Sequence, residues 1–160
     1  MFTTQRVYLW MAISSVIAMA AALYLQHYQD LEPCPLCVFQ RVAVIAFGIV
    51  SLLACLHNRQ RLGRRIYAVL AALAGGAGIV VAGRHVWLQH LPADQVPSCG
   101  PGLDYWLEAL PLQQVINQVF QGSGECAVVD WTLLGLSLPE WTLLMFIGMT
   151  AIAVLQLFRR

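Results

Sequence analysis

The stretch Pro33-Cys-Pro-Leu-Cys-Val-Phe-Gln-Arg41 runs without a break into Val42-Ala-Val-Ile-Ala-Phe-Gly-Ile-Val-Ser-Leu-Leu-Ala-Cys-Leu-His-Asn58. Seventeen uncharged residues separate Arg41 from Arg59, and a membrane-spanning helix needs roughly 17–25. Such gaps recur three times: 23 uncharged residues between Arg6 and Asp30, 18 between Arg65 and Arg84, and 18 between Glu140 and Arg159. They predict four spans, at about 7–27, 42–57, 66–84 and 141–158. A short loop at about 28–40 and a long one at about 85–140 remain outside. Composition agrees: the 160 residues are 59% hydrophobic and 11% charged, against about 25% charged in a soluble domain. The expected fold is an all-α membrane protein, a four-helix bundle forming one integral domain over 1–160.

The sign of the charges orients this bundle. Arg6, Arg59, Arg61, Arg64, Arg65, Arg159 and Arg160 fall on one side, and all eight acidic residues fall on the other. Cations mark the cytoplasmic side, so both termini are expected inside, with the two loops facing outward. Arg41 and Arg84 break the pattern at outer helix ends and ask for local partners. A net charge of +1 gives no electrostatic case for nucleic acid. Ala18-Met19-Ala20 resembles a signal-peptide cleavage site, but the apolar run continues to Leu25, so helix one is expected to be retained.

Local chemistry refines the picture. A residue before proline avoids the helical region, and proline suits the first helical position. Cys34 should therefore cap the second helix, Pro35 begin it, and Cys37 lie in its first turn, facing the positive end of the helix dipole. Arg41 follows Cys37 by one turn, where a guanidinium stabilises a thiolate. Ser14, Ala18 and Ala22, and likewise Ala74, Gly78 and Ala82 beside Ala71 and Gly75, form stripes that let membrane helices approach closely. In the long loop, Leu112, Val115, Ile116, Val119 and Phe120 repeat with helical period opposite Gln113, Gln114, Asn117, Gln118 and Gln121. This is a helix too short to span, expected to lie in the membrane interface rather than on a small outer subdomain. Trp87, Trp106, Trp131 and Trp141 suit an aromatic belt.

The chain has five cysteines. Cys34, Cys37, Cys99 and Cys126 fall on the outward side, where disulfides persist; Cys55, near the inner end of helix two, reads as a packing residue. Four cysteines allow three pairings, and the sequence alone does not choose among them. Pairing within each loop would give one dithiol at the membrane surface and one on a loop able to reach a soluble partner. Two inert structural disulfides are an alternative, as is a zinc site of four cysteines. A Cys-x-x-Cys bridge restrains little chain, and Cys99 and Cys126 stand 27 positions apart rather than as a close-spaced ligand pair. The redox reading is favoured and no metal is expected. His27, His57 and His85 read as amphipathic rings at helix ends, and no Cys-x-x-Cys-His haem motif is present.

Cys34-Pro-Leu-Cys-Val-Phe-Gln-Arg41 resembles the signature of the DsbB disulfide-bond-formation family. The similarity spans the chain, through Gln121-Gly-Ser-Gly-Glu-Cys126, Trp131 and Leu134-Gly-Leu-Ser-Leu-Pro-Glu-Trp141. It implies a protein dithiol:quinone oxidoreductase of the bacterial inner membrane, with its active cysteines on the periplasmic side. Such enzymes reoxidise a periplasmic thioredoxin-fold oxidase of the DsbA type and pass the electrons to ubiquinone or menaquinone. By motif position, Cys99 would form the mixed disulfide with the partner. Cys126 would pair with Cys99 at rest and bond to Cys34 in turnover, and Cys37 would be the thiolate facing the quinone. Redox-active disulfides Cys34–Cys37 and Cys99–Cys126 are thus implied. Arg41 would support the quinone, His90 would stand near it, and Leu138 beside its ring. Around Cys99 the sequence Ser98-Cys-Gly-Pro-Gly102 has small residues where some members have bulkier ones. A vitamin K epoxide reductase-like enzyme is a rival with similar chemistry, but there the Cys-x-x-Cys comes late in the chain, whereas here it follows the first span.

Overall fold

A computed structural model describes residues 4–29, 33–57, 61–92, 94–100, 103–129 and 131–158. Four long helices form the body: α1 (Thr4–Tyr28), α2 (Pro35–His57), α3 (Arg61–Gln89) and, last in the chain, α6 (Leu138–Phe158). Each is long and apolar enough to cross a membrane. Between α3 and α6 come α4 (Leu103–Ala109), α5 (Leu112–Gln121), a single 3-10 turn at Gly124–Ala127, and a hairpin of β1 (Thr132–Leu133) and β2 (Leu136–Ser137).

The helices outrun the charge gaps. Helix α2 begins seven residues before its gap, at Pro35, and α3 extends past both Arg65 and Arg84. A gap between charges measures only the stretch free of charge, and a helix continues wherever its arginines find partners. Arg41 finds them on α1, donating to the Gln26 side chain and the Ala22 carbonyl. Arg84 finds them at the end of α5. Its Nε and Nη2 each donate at 2.9 Å, to the carbonyls of Phe120 and Gln121, and its guanidinium lies 4.2 Å from the Trp87 ring centre. Those carbonyls end α5, where the helix dipole is negative and backbone acceptors lack intrahelical donors.

In the bundle, α1 packs on α2, α2 on α3 and α3 on α6. Tyr8, Met11, Phe47, Ala71, Phe146 and Met149 share its core. Small residues set the spacing, as the α3 stripe suggested. A Cβ on Gly78 would strike the Phe146 ring, and one on Gly75 would strike the Thr150 hydroxyl. On α1 the close contact falls elsewhere: buried Ser15 meets Gly48, while Ser14 donates to the Trp10 carbonyl on an exposed face. A groove between α1 and α6 is lined by Val7, Trp10, Met11, Ser14, Met149 and Ile152.

A second, smaller core caps the cysteine end. Leu36, Val81, Leu88, Trp106, Val115 and Val119 close around Cys34 and Cys126. Helix α5 therefore divides its apolar face. Val115 and Val119 are buried in the cap, while Leu112 and Ile116 stay exposed. The expected choice between interface and subdomain was too sharp, because a single short helix serves the cap with one edge and leaves the other free. Trp106 is interior rather than part of a belt, lying against Gly100, where a Cβ would come within 2.6 Å of its ring.

The hairpin reverses through Leu134 and Gly135, at φ 54 and 82. Two successive positive φ values suit a tight hairpin turn, and only glycine adopts them without steric cost. Ser137 then stands just before α6. Its N–H donates to Glu140 Oε2 at 2.6 Å and its hydroxyl to Gln89 Oε1 at 2.8 Å. Glu140 thus reaches back to cap its own helix, and Ser137 ties α6 to the end of α3.

Candidate active site

The site begins with the cap of α2. The Cys34 carbonyl accepts the first helical hydrogen bond, from Val38 N–H at 3.2 Å. Its sulfur accepts Cys37 N–H at 3.4 Å, in the manner of an N-cap oxygen. The cap geometry turns both sulfurs to the same side, 3.1 Å apart. Cys34 is buried and Cys37 is half-buried.

The turn Gly124–Ala127 brings in a third sulfur. Cys126 is 1% exposed and accepts a hydrogen bond from the Cys34 thiol. Leu36 N–H also points at the Cys126 sulfur, and the Ser123 hydroxyl lies 3.6 Å from it. Cys99 stands at the edge. It is exposed, and its segment lies against the same turn: Gly124 N–H donates to the Ser98 carbonyl at 3.4 Å, and a Cβ on Gly124 would come within 2.9 Å of Cys99 Sγ. All five cysteines are free thiols in the structure. Cys55 is half-buried against the bundle core, remote in sequence from the others.

The electrostatics follow from this stacking. Cys34 holds its proton well above the ordinary thiol range, chiefly because the Cys126 sulfur and then the Cys37 sulfur stand ready to accept it, with burial adding to the effect. Cys126 is lowered to about 6, first by the hydrogen bond from Cys34 and against its own burial, with Leu36 N–H and Ser123 helping. A central thiol thus carries the proton beside a sulfur that ionises readily.

The histidine at this centre is His85, 2% exposed. Its Nε2 lies 3.8 Å from Cys34 Sγ and its Nδ1 4.0 Å from Cys37 Sγ. Gln40 touches Nδ1 at 3.1 Å and meets Thr142 at 2.8 Å. From the sequence His85 looked like a ring at a helix end. The signal that finds it is register: α3 continues past Arg84, so His85 lies inside the helix and on its packed face rather than at its end. His90 lies a turn further on, exposed, with Nδ1 2.9 Å from the Val86 carbonyl and Nε2 3.8 Å from Glu140. Arg41 directs its guanidinium to α1, as described above, and Leu138 is the first residue of α6.

Donor atoms of Cys34, Cys37 and His85 lie within 4.8 Å of one another, near enough to share one ion. Two of the three form the vicinal dithiol, and an ion there would have to leave whenever that pair closed to a disulfide. The group gathers three sulfurs in contact, a fourth at the solvent edge, and an imidazole against two of them.

The family model for "Disulfide bond formation protein DsbB" matches residues 4–156. The chain belongs to the DsbB family. Proteins called "Disulfide bond formation protein B" resemble it closely. That of Acinetobacter baumannii is 54% identical over 150 residues, 93% of this chain and 88% of the relative. That of Stutzerimonas stutzeri is 51% identical over 148 residues, 92% of this chain and 91% of the relative. That of Hahella chejuensis is 48% identical over 158 residues, 99% and 96% of the two chains. The DsbB-family match runs from the start of α1 to two residues short of the end of α6 and includes Cys34, Cys37, His85, Cys99 and Cys126.

Proposed function

We propose that this protein reoxidises a periplasmic thioredoxin-fold dithiol oxidase of the DsbA type and passes the electrons to ubiquinone or menaquinone in the bacterial inner membrane. The observation that supports it most is the position of Cys34, whose sulfur touches both Cys37 and Cys126. One sulfur that can bond to either neighbour is what transfer between two disulfides requires.

The exchange proceeds through thiolates. A partner thiolate attacks Cys99 of a Cys99–Cys126 disulfide, and Cys126 leaves with the bonding pair. A sulfur whose thiolate is stabilised leaves faster, and Leu36 N–H and the Ser123 hydroxyl face the Cys126 sulfur. The partner's second thiol then displaces Cys99, so the partner departs oxidised and both loop cysteines are reduced. The Cys126 thiolate next attacks Cys34 of a Cys34–Cys37 disulfide and releases Cys37 as thiolate. Cys99 attacks Cys126, the loop disulfide closes again, and Cys34 departs and takes up a proton. The two electrons taken from the partner now rest on Cys34 and Cys37 at the lipid edge. A quinone suits that edge: Cys37 is half-buried, Arg41 follows one turn later, and Val42 and Ile45 turn outward. When bound, it supplies a two-electron, two-proton acceptor. His85 is the group placed to move protons at the two sulfurs, and Arg41, steadied by Gln26, supplies positive charge beside Cys37. His90 and Leu138 contribute at the rim of the same end.

The test is quinone reduction by the purified chain, with a reduced thioredoxin-fold oxidase as donor. Wild type should turn over and Cys37→Ser should not. A folded, quinone-loaded wild type that fails to reduce quinone would leave inert disulfides as the better reading.

A further inference from the structure

Around His85 the hydrogen bonds can be assigned in two ways, and they differ in which ring nitrogen carries the proton. Gln40 presents one end of its amide to His85 Nδ1 at 3.1 Å and the other to Thr142 Oγ1 at 2.8 Å. Thr142 Oγ1 also lies 2.9 Å from the Pro139 carbonyl. Nitrogen and oxygen of an amide are told apart only by such partners.

With the amide nitrogen on His85, Nδ1 is an acceptor and the proton sits on Nε2, facing Cys34. Thr142 has one hydroxyl proton and must then choose between Gln40 and Pro139. With the amide reversed, each contact along this chain has a proton of its own. His85 Nδ1–H donates to the Gln40 carbonyl, the Gln40 amide donates to Thr142 Oγ1, and the Thr142 hydroxyl donates to Pro139. The Cys34 thiol then faces a bare Nε2 at 3.8 Å. Gln40 is 5% exposed and His85 2%, so water is not at hand to serve an unmatched group, and a buried unmatched group is costly.

We propose that Gln40, braced by Thr142 and the Pro139 carbonyl, holds His85 in its Nδ1–H form so that Nε2 accepts the proton of Cys34. Gln40 is a positioning residue; it touches neither sulfur and acts through the imidazole. This rests on the relay proposed above, because closing a disulfide at Cys34 requires its thiol to lose a proton. The proton passes to Nε2, the S–H bonding pair stays on sulfur, and the two electrons released on closure go to the quinone. His85 leaves Nδ1–H on Gln40 throughout.

Nitrogen NMR of the histidine rings in the reduced full chain, labelled with nitrogen-15 and held in detergent, reads the tautomer with neither quinone nor partner present. The result therefore stands apart from the success of the relay itself. His85 should show a protonated Nδ1 and a bare Nε2, its signals identified by their loss in His85→Gln. A ring protonated on Nε2, alone or together with Nδ1, would overturn the proposal. Gln40→Glu retains an acceptor and should keep the tautomer. Gln40→Met removes the acceptor; the ring should move to the other tautomer, and Cys34–Cys37 oxidation should slow by about ten- to a hundredfold, part of what a placed acid–base group contributes. A Gln40→Met ring that keeps Nδ1–H would remove Gln40 from this role.

Discussion

The bundle core and the cap core answer different solvents. The bundle around Phe47 and Phe146 holds together where lipid is as apolar as the helices, so hydrophobic burial gives little and close approach gives much. Glycines at 75 and 78 create that approach, leaving no room for a Cβ. The cap around Leu36, Val115, Val119 and Trp106 closes where the chain leaves the membrane. There burial contributes directly, and Arg84 fastens the helix end by charge-assisted hydrogen bonds. The bundle below and the cap above meet where three of the sulfurs lie, with the fourth exposed at the edge.

The sharpest way to break this contrast is Gly78→Val beside Gly76→Val. The first drives a branched side chain into Phe146; the second enters open space. Overpacking costs about 1–3 kcal/mol, more where the neighbour cannot move, so thermal unfolding in detergent should fall clearly for Gly78→Val and hardly for Gly76→Val. Equal effects would mean that close packing does not govern the bundle.

Arg84→Ala should act on the cap alone. Hydrogen bonds from a charged group contribute about 1.5–3 kcal/mol, so α5 amides should exchange faster with deuterium while those of α1 and α6 hold. Uniform loss of protection would make the two cores a single cooperative unit.

The Cys126 thiolate gives a pH test of the seam. Its pKa falls from the ordinary thiol value near 9 to about 6. The unfolded chain binds the extra proton between these values, so stability of the reduced form from this group is complete above 9 and is lost as pH drops through 6. Thiolate absorbance, taken as the difference between the chain and Cys126→Ser, should titrate near 6. In Cys34→Ala the midpoint should rise, because the donor that contributes most has gone; an unmoved midpoint would separate Cys34 from Cys126. The smallest effect belongs to Cys55→Ala, which should leave turnover unchanged and trim stability slightly through lost bundle contacts.

Much of the site was readable before any fold was known, and its gaps are instructive. The Cys-Pro step fixed the start of α2, because proline dictates where a helix can begin. The periodicity of Leu112–Phe120 gave α5 directly. His85 escaped because charge gaps end a span at Arg84, while the helix itself continues to Gln89 once Arg84 is satisfied by the α5 carbonyls. The hairpin and α4 escaped as well; two-residue strands and a seven-residue helix carry too little pattern to stand out.

Sequence by itself determined four spans, the family signature and the four cysteines gathered toward one end of them, since hydrophobic length, charge placement and a local cap depend only on neighbours along the chain. Tertiary structure decided which sulfurs meet, which histidine reaches them, and where Arg41 and Arg84 spend their charge. Those contacts join residues such as Cys34, His85 and Cys126, separated by dozens of positions, and nothing along the backbone encodes their distance. It arises only when α2, α3 and the Gly124–Ala127 turn close on one another.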